Sequence, residues 1–192
     1  MTTTIPNSAP QKIHPYKFTL WVAMGSIIMM FAGLTSAYIV KKNQSVWLQF
    51  DLPLVFWYST GVILLSSLTM FLAAKAIKAG NMGQYRSLLG VTAVLGILFL
   101  IMQYAGFKTL EARDIALVGP KSNSAASFLF VITVLHMLHV LGGVISLVIV
   151  FAKAIKTEVK KQSTVTVEVV GTYWHFVDVL WIYLFLFYNW IG

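Results

Sequence analysis

Five long stretches of this chain carry no Asp, Glu, Lys or Arg, apart from one aspartate. Phe18 to Val40 and Leu52 to Ala74 are 23 residues each, and Ser87 to Phe107 is 21. Ser122 to Ala152 is 31, and Val169 to Gly192 is 24 with Asp178 inside it. A helix crosses the hydrocarbon core of a bilayer with about 20 apolar residues. In lipid a continuous helix is the open segment that satisfies its own backbone donors and acceptors. The pattern therefore predicts an all-α integral membrane bundle of five transmembrane helices. The predicted spans are 18–40, 53–79, 86–107, 124–152 and 168–191, after a polar tail over 1–17. Residues 164–167 alternate like a strand and are read as a loop entering the fifth span.

Twenty charged residues in 192 leave too little polar surface for a soluble globule. The prolines respect the spans. Pro6, Pro10 and Pro15 lie in the N-terminal segment, Pro120 in a loop, and Pro53 where a first helical turn begins. Gly25, Gly33, Gly61, Gly96, Gly142 and Gly143 are read as points of close helix packing.

Orientation follows from the basic residues. Lys12, Lys17, Lys75, Lys78, Arg86, Lys153, Lys156, Lys160 and Lys161 fall on one side, and five basic residues on the other. The positive-inside rule puts the N-terminus in the cytoplasm and the C-terminus in the periplasm. Trp47, Trp57, Tyr188 and Trp190 are expected at the outer interface. Tyr16, Trp21, Tyr85, Tyr173 and Trp174 are expected at the inner one. The net charge of +8 is explained by an anionic leaflet, without nucleic acid.

Ionisable groups inside spans are costly and mark sites of interest. The fourth span carries His136 and His139; the fifth carries His175 and Asp178, with Glu168 at its inner entrance. Each pair is spaced i, i+3 and shares a helix face. His139 and Asp178 come to similar depth, so a hydrogen bond or ion pair between them is expected. Three readings compete for these residues. They are haem ligation, proton transfer along Glu168, His175 and Asp178, and a structural polar clasp. With no Cys, the chain has no disulfide, thiolate metal site or thiol nucleophile. It has no phosphate-binding Gly-rich loop, zinc-protease motif or nucleophile elbow.

Two motifs then resemble a known family. Tyr173-Trp174-His175-Phe176-Val177-Asp178-Val179-Leu180-Trp181 is similar to the last-helix signature of subunit III of the haem–copper oxidases. His136-Met137-Leu138-His139-Val140, with Gly143, is similar to that family's H-G-L-H-V motif one helix earlier. Glu168 matches a further family position. The resemblance runs from about Tyr16 to the end and fits the five-helix bacterial form. Met137 replaces the family's Gly. Ile27 after Ser26, and Tyr104 after Gln103, stand where many members have carboxylates.

The resemblance implies an accessory subunit of an aerobic terminal oxidase, which reduces O2 to water and pumps protons. It implies a role in assembly, lipid binding and sustained turnover, with no redox centre in this chain. Haem and copper belong to partner subunits I and II, and bound phospholipid is expected here. A respiratory supercomplex is a further implied partner, and the bacterial inner membrane is the implied location. His136, His139, Glu168, Trp174, His175, Asp178 and Trp181 are the implied motif residues, structural rather than catalytic. Two other functions stay open on the residues alone. One is a di-haem b-type electron carrier, distinguished by a haem band. The other is a small transporter, distinguished by purifying without a large haem-bearing partner.

Overall fold

A computed structural model describes residues 15–43, 52–113, 115–119, 122–156 and 164–191. Most of the expected tail, together with Trp47, Lys160 and Lys161, lies outside the described residues. Five helices form: α1 (Pro15–Lys42), α2 (Leu54–Lys78), α3 (Met82–Glu111), α4 (Ser124–Lys156) and α5 (Thr164–Ile191). All five are long and apolar enough to cross a membrane, and no strand occurs among the described residues.

Several boundaries move outward from the expected ones. Pro15, Tyr16 and Lys17 belong to α1, with proline at a helix start, where its missing N–H costs nothing. Residues 164–167 are helical, not a loop. A four-residue alternation is too short to resist a helix already running inward from it. At 33 residues, α4 is about 50 Å long and outruns a hydrocarbon core of about 30 Å.

The α2–α3 turn is tighter than its polar sequence suggests. Gly80 takes φ +75° after α2. Its N–H donates to Ile77 O at 3.1 Å, and Asn81 N–H donates to Ala76 O at 3.0 Å. These two bonds cap α2 in a Schellman motif, for which glycine is the favoured residue. Asn81 then caps α3, its side chain accepting from Gln84 N–H. The turn pins α2 and α3 as neighbours.

The helix α5 is the innermost. In its apolar window 44% of residues are buried, against 17% for α1. It packs on α2, α4 and α1. Trp174 and Trp181 at its centre are fully buried. The aromatic residues expected at the two interfaces divide by burial. Tyr85, Trp174 and Tyr188 are inside the protein, whereas Tyr16, Trp21, Trp57 and Trp190 are exposed.

The Trp174 indole sets the spacing of three helices. A Cβ placed at Gly96 of α3 would lie 2.6 Å from Trp174 Cη2 and 2.9 Å from Val144 Cγ2. One placed at Gly143 of α4 would lie 2.9 Å from Trp174 Cε3. The ring is held between two bare backbones and cannot retreat from either. By contrast, Gly25, Gly33 and Gly61 face open space, and a Cβ at Gly142 would make only ordinary contact. Of the six glycines expected at close packing, Gly96 and Gly143 are the tight ones, both against Trp174; Gly106 of α3 is a further tight point, where a Cβ would lie 2.7 Å from Phe56 Cε2. Gly96→Ala should destabilise the bundle by about 1–3 kcal/mol through overpacking. Gly25→Ala should be neutral. Denaturation midpoints of the two variants in detergent check this pair.

Candidate functional site

The inward face of α5 meets α2, and α2 supplies hydroxyls. Trp174 Nε1 donates to Ser66 Oγ at 3.1 Å, and Trp181 Nε1 donates to Thr60 Oγ1 at 3.0 Å. His175 Nδ1 and Ser67 Oγ share a hydrogen bond of 2.7 Å. The two indoles are seven residues apart, and their acceptors on α2 are six apart in the opposite direction. Two antiparallel helices with near-heptad spacing thus bring polar partners together at successive turns. The same helix also reaches α3. Gln103 Nε2 donates to Ser59 Oγ at 3.0 Å, and Thr69 and Thr92 share a 2.8 Å bond. In lipid such bonds and close packing hold helices together, because burial of apolar surface offers no advantage over lipid contact.

His136 is fully buried in an aromatic box. Its ring stacks on Trp181 at 5.3 Å and meets Phe99 and Phe31 edge-on at 6.2 and 6.4 Å. Neither ring nitrogen has a hydrogen-bond partner. Trp181 is stacked from its other neighbour, Phe56, at 6.2 Å. His139, one turn away, donates Nδ1–H to Leu135 O at 2.7 Å and packs against Phe31.

The expected His139–Asp178 pair does not form. Asp178 is buried, yet neither carboxyl oxygen completes a hydrogen bond. Ser67 is the hydroxyl placed to interact with that carboxyl, and it is committed to His175. Equal depth was not enough. The Asp178 face of α5 turns toward α2, so α4 is reached by another residue. That residue is Tyr173, whose OH donates to the His139 carbonyl at 3.0 Å.

Glu168 stands at the N-terminal end of α5. Its oxygens lie 2.9 Å from Lys17 Nζ and 3.4 Å from Lys78 Nζ, joining α1, α5 and α2. At the same end Arg86 Nε donates to Ala154 O at 2.7 Å, joining α3 to α4. At the opposite end Lys42 donates to the Ile191 carbonyl. A cavity of about 370 Å³ opens beside Glu168 and reaches His175, with Lys17, Trp21, Ala74 and Thr172 in its walls.

Among the described residues no group of three or more His, Cys, Asp or Glu is placed to hold a metal ion. Of the motif residues, Trp174, His175, Asp178 and Trp181 share the α2-facing side, His136 joins Trp181, and His139 and Glu168 stand apart from them. Sequence reasoning missed Thr60, Ser66 and Ser67, although hydroxyls recurring every two turns in an apolar span were a readable signal. A double-mutant cycle between Ser66→Ala and Trp174→Phe should give a coupling of about 0.6–1.7 kcal/mol. The same cycle on His139 and Asp178 should give a coupling near zero.

The comparisons with known proteins bear on the same residues. The cytochrome c oxidase subunit III family profile matches residues 18–192. Cytochrome c oxidase subunit 3 of Corynebacterium diphtheriae is 29% identical, covering 97% of this chain and 97% of its own length. The probable cytochrome c oxidase subunit 3 of Nocardia farcinica is 31% identical, over 96% of this chain and 97% of its own. Subunit 3 of the cytochrome bo(3) ubiquinol oxidase of Pseudomonas aeruginosa is 28% identical, over 88% and 81%. Each motif of α4 and α5 lies within the matched region. The chain belongs to the cytochrome c oxidase subunit III family.

Proposed function

We propose that this chain is the accessory subunit III of an aerobic terminal oxidase that reduces O2 to water and conserves the energy as a proton gradient. It packs against subunits I and II, which carry the haem and copper, and binds phospholipid on its lipid-facing surface. Its contribution is to assembly and sustained turnover, and a respiratory supercomplex is a further setting for it. The observation that carries this reading is the family match over residues 18–192, which spans all five apolar helices. The relatives include both cytochrome c and ubiquinol oxidase subunits, so a role common to both donors fits a chain that does not itself receive electrons.

The geometry favours a structural role for the histidines. A haem held by two helices needs imidazoles that face each other across a gap. His136 is instead stacked on Trp181 within the core, and His175 is tied to Ser67 on α2. The excess of basic residues at one end sets the orientation. The end bearing Lys17, Lys78, Arg86 and Glu168 faces the cytoplasm of a bacterial inner membrane, and the C-terminus faces the periplasm.

Affinity purification from mild detergent checks the proposal. The chain should bring down a large haem-bearing subunit, and the chain separated from it should carry no haem band. A haem spectrum on the isolated chain would favour the di-haem carrier, and recovery as a homo-oligomer would favour a transporter. Within the assembled complex, Asp178→Ala should leave the initial O2 rate near wild type. It should reduce the yield of complex or shorten its active lifetime. Full loss of initial rate in an intact complex would contradict an accessory role.

A further inference from the structure

Among the described residues Asp178 is the one acid deep inside the bundle, and the structural role assigned to its helix does not use it. A carboxyl buried at 2% exposure with neither oxygen hydrogen-bonded is a costly feature. Its surroundings are organised. His175, one turn below on α5, holds Ser67 Oγ at 2.7 Å, and Ser67 is the hydroxyl that approaches the Asp178 carboxyl. His175 also lines the cavity of about 370 Å³ whose mouth carries Glu168. From Glu168 to His175 is seven residues, about 10 Å along the helix. The cavity therefore leads from the bundle end to the imidazole, and the imidazole and one hydroxyl lead on to the carboxyl.

We propose that Asp178 is a proton-binding site reached from the Glu168 end of the bundle, with water in the cavity, His175 and Ser67 as the relay. The volume admits several waters at about 30 Å³ each, and Glu168, Lys17, Thr172 and His175 give them polar partners. In the inward step a hydronium ion entering the cavity protonates His175 Nε2 and is left as water. The Nδ1 proton passes to Ser67 Oγ, and the Ser67 hydroxyl proton passes to the Asp178 carboxylate. One proton enters with the hydronium and one arrives at the carboxyl, and release by the reverse sequence restores the imidazole tautomer. The charged and titratable groups along the route are Lys17 from α1, Lys78 from α2, and Glu168 and His175 from α5. From α4, His136 lies against Trp181 and His139 against Leu135 O, so neither joins the relay. Beyond Asp178 the aromatic stack of Trp181, Phe56, Phe99 and His136 closes the way to the other end. The site is a proton store with one entrance, not a channel.

Infrared difference spectroscopy on the intact complex in lipid tests this. Wild type should show a protonated-carboxyl C=O stretch that is absent from Asp178→Asn. Where Asn prevents assembly, Asp178→Glu should shift that band instead. On transfer to D2O the band should downshift quickly in wild type, and about tenfold or more slowly in Ser67→Ala. Ser67→Thr, which keeps the hydroxyl, should restore the wild-type rate. The proposal is overturned if no such band belongs to residue 178, or if Ser67→Ala exchanges as fast as wild type. It is also overturned if Ser67→Thr stays as slow as Ser67→Ala.

Discussion

The bundle depends on the wedge that Trp174 makes. One indole from α5 fills the space above two glycines, Gly96 on α3 and Gly143 on α4, and bonds to Ser66 on α2. Four of the five helices are thereby fixed by one side chain. The reason it matters is the solvent. Leu and Val on a helix surface are as content against lipid tails as against each other, so ordinary apolar packing gives weak preference for one arrangement. Shape and hydrogen bonding must select it. A rigid ring against bare backbone supplies shape, and an N–H aimed at a hydroxyl supplies direction.

The same logic repeats one heptad on. Trp181 bonds to Thr60 and stacks between Phe56 and His136, so the second indole carries α2 and α4 as the first does. At the bundle ends the ties are different in kind. Glu168 collects Lys17 and Lys78, Arg86 reaches Ala154 O, and Lys42 reaches Ile191 O. Charges sit at the ends, where water and head groups solvate them, and neutral groups sit inside. A motif that marks an oxidase subunit is turned into its own bundle, where it organises the chain. That placement suits a subunit whose partner performs the chemistry.

The spans were legible because charge exclusion over twenty residues is a strong physical signal, and each of the five helices covers its uncharged run to within two residues. The helix ends were less so. Gly80 and Asn81 cap α2 and α3 within three residues, whereas hydropathy registers only that the region is polar. Depth was legible for His139 and Asp178, but rotation was not. The helix α5 presents Asp178 to α2, and a sequence gives depth along an axis more readily than angle about it. Glycines mislead for the same reason: Gly25 and Gly96 look alike in a chain, and only the neighbour decides that one meets nothing and the other a tryptophan. Thr60, Ser66 and Ser67 carried a periodic signal that becomes meaningful once their indole and imidazole partners are known.

This oxidase subunit turns its family motif inward, onto its own helices. Electron cryo-microscopy of the intact oxidase tests it most directly. Density for the Trp174 indole is expected between Gly96 and Gly143 with its nitrogen toward Ser66, and haem density is expected in the neighbouring subunit alone. Density placing Trp174 and Asp178 against that neighbour, or a haem between the helices of this chain, would contradict it.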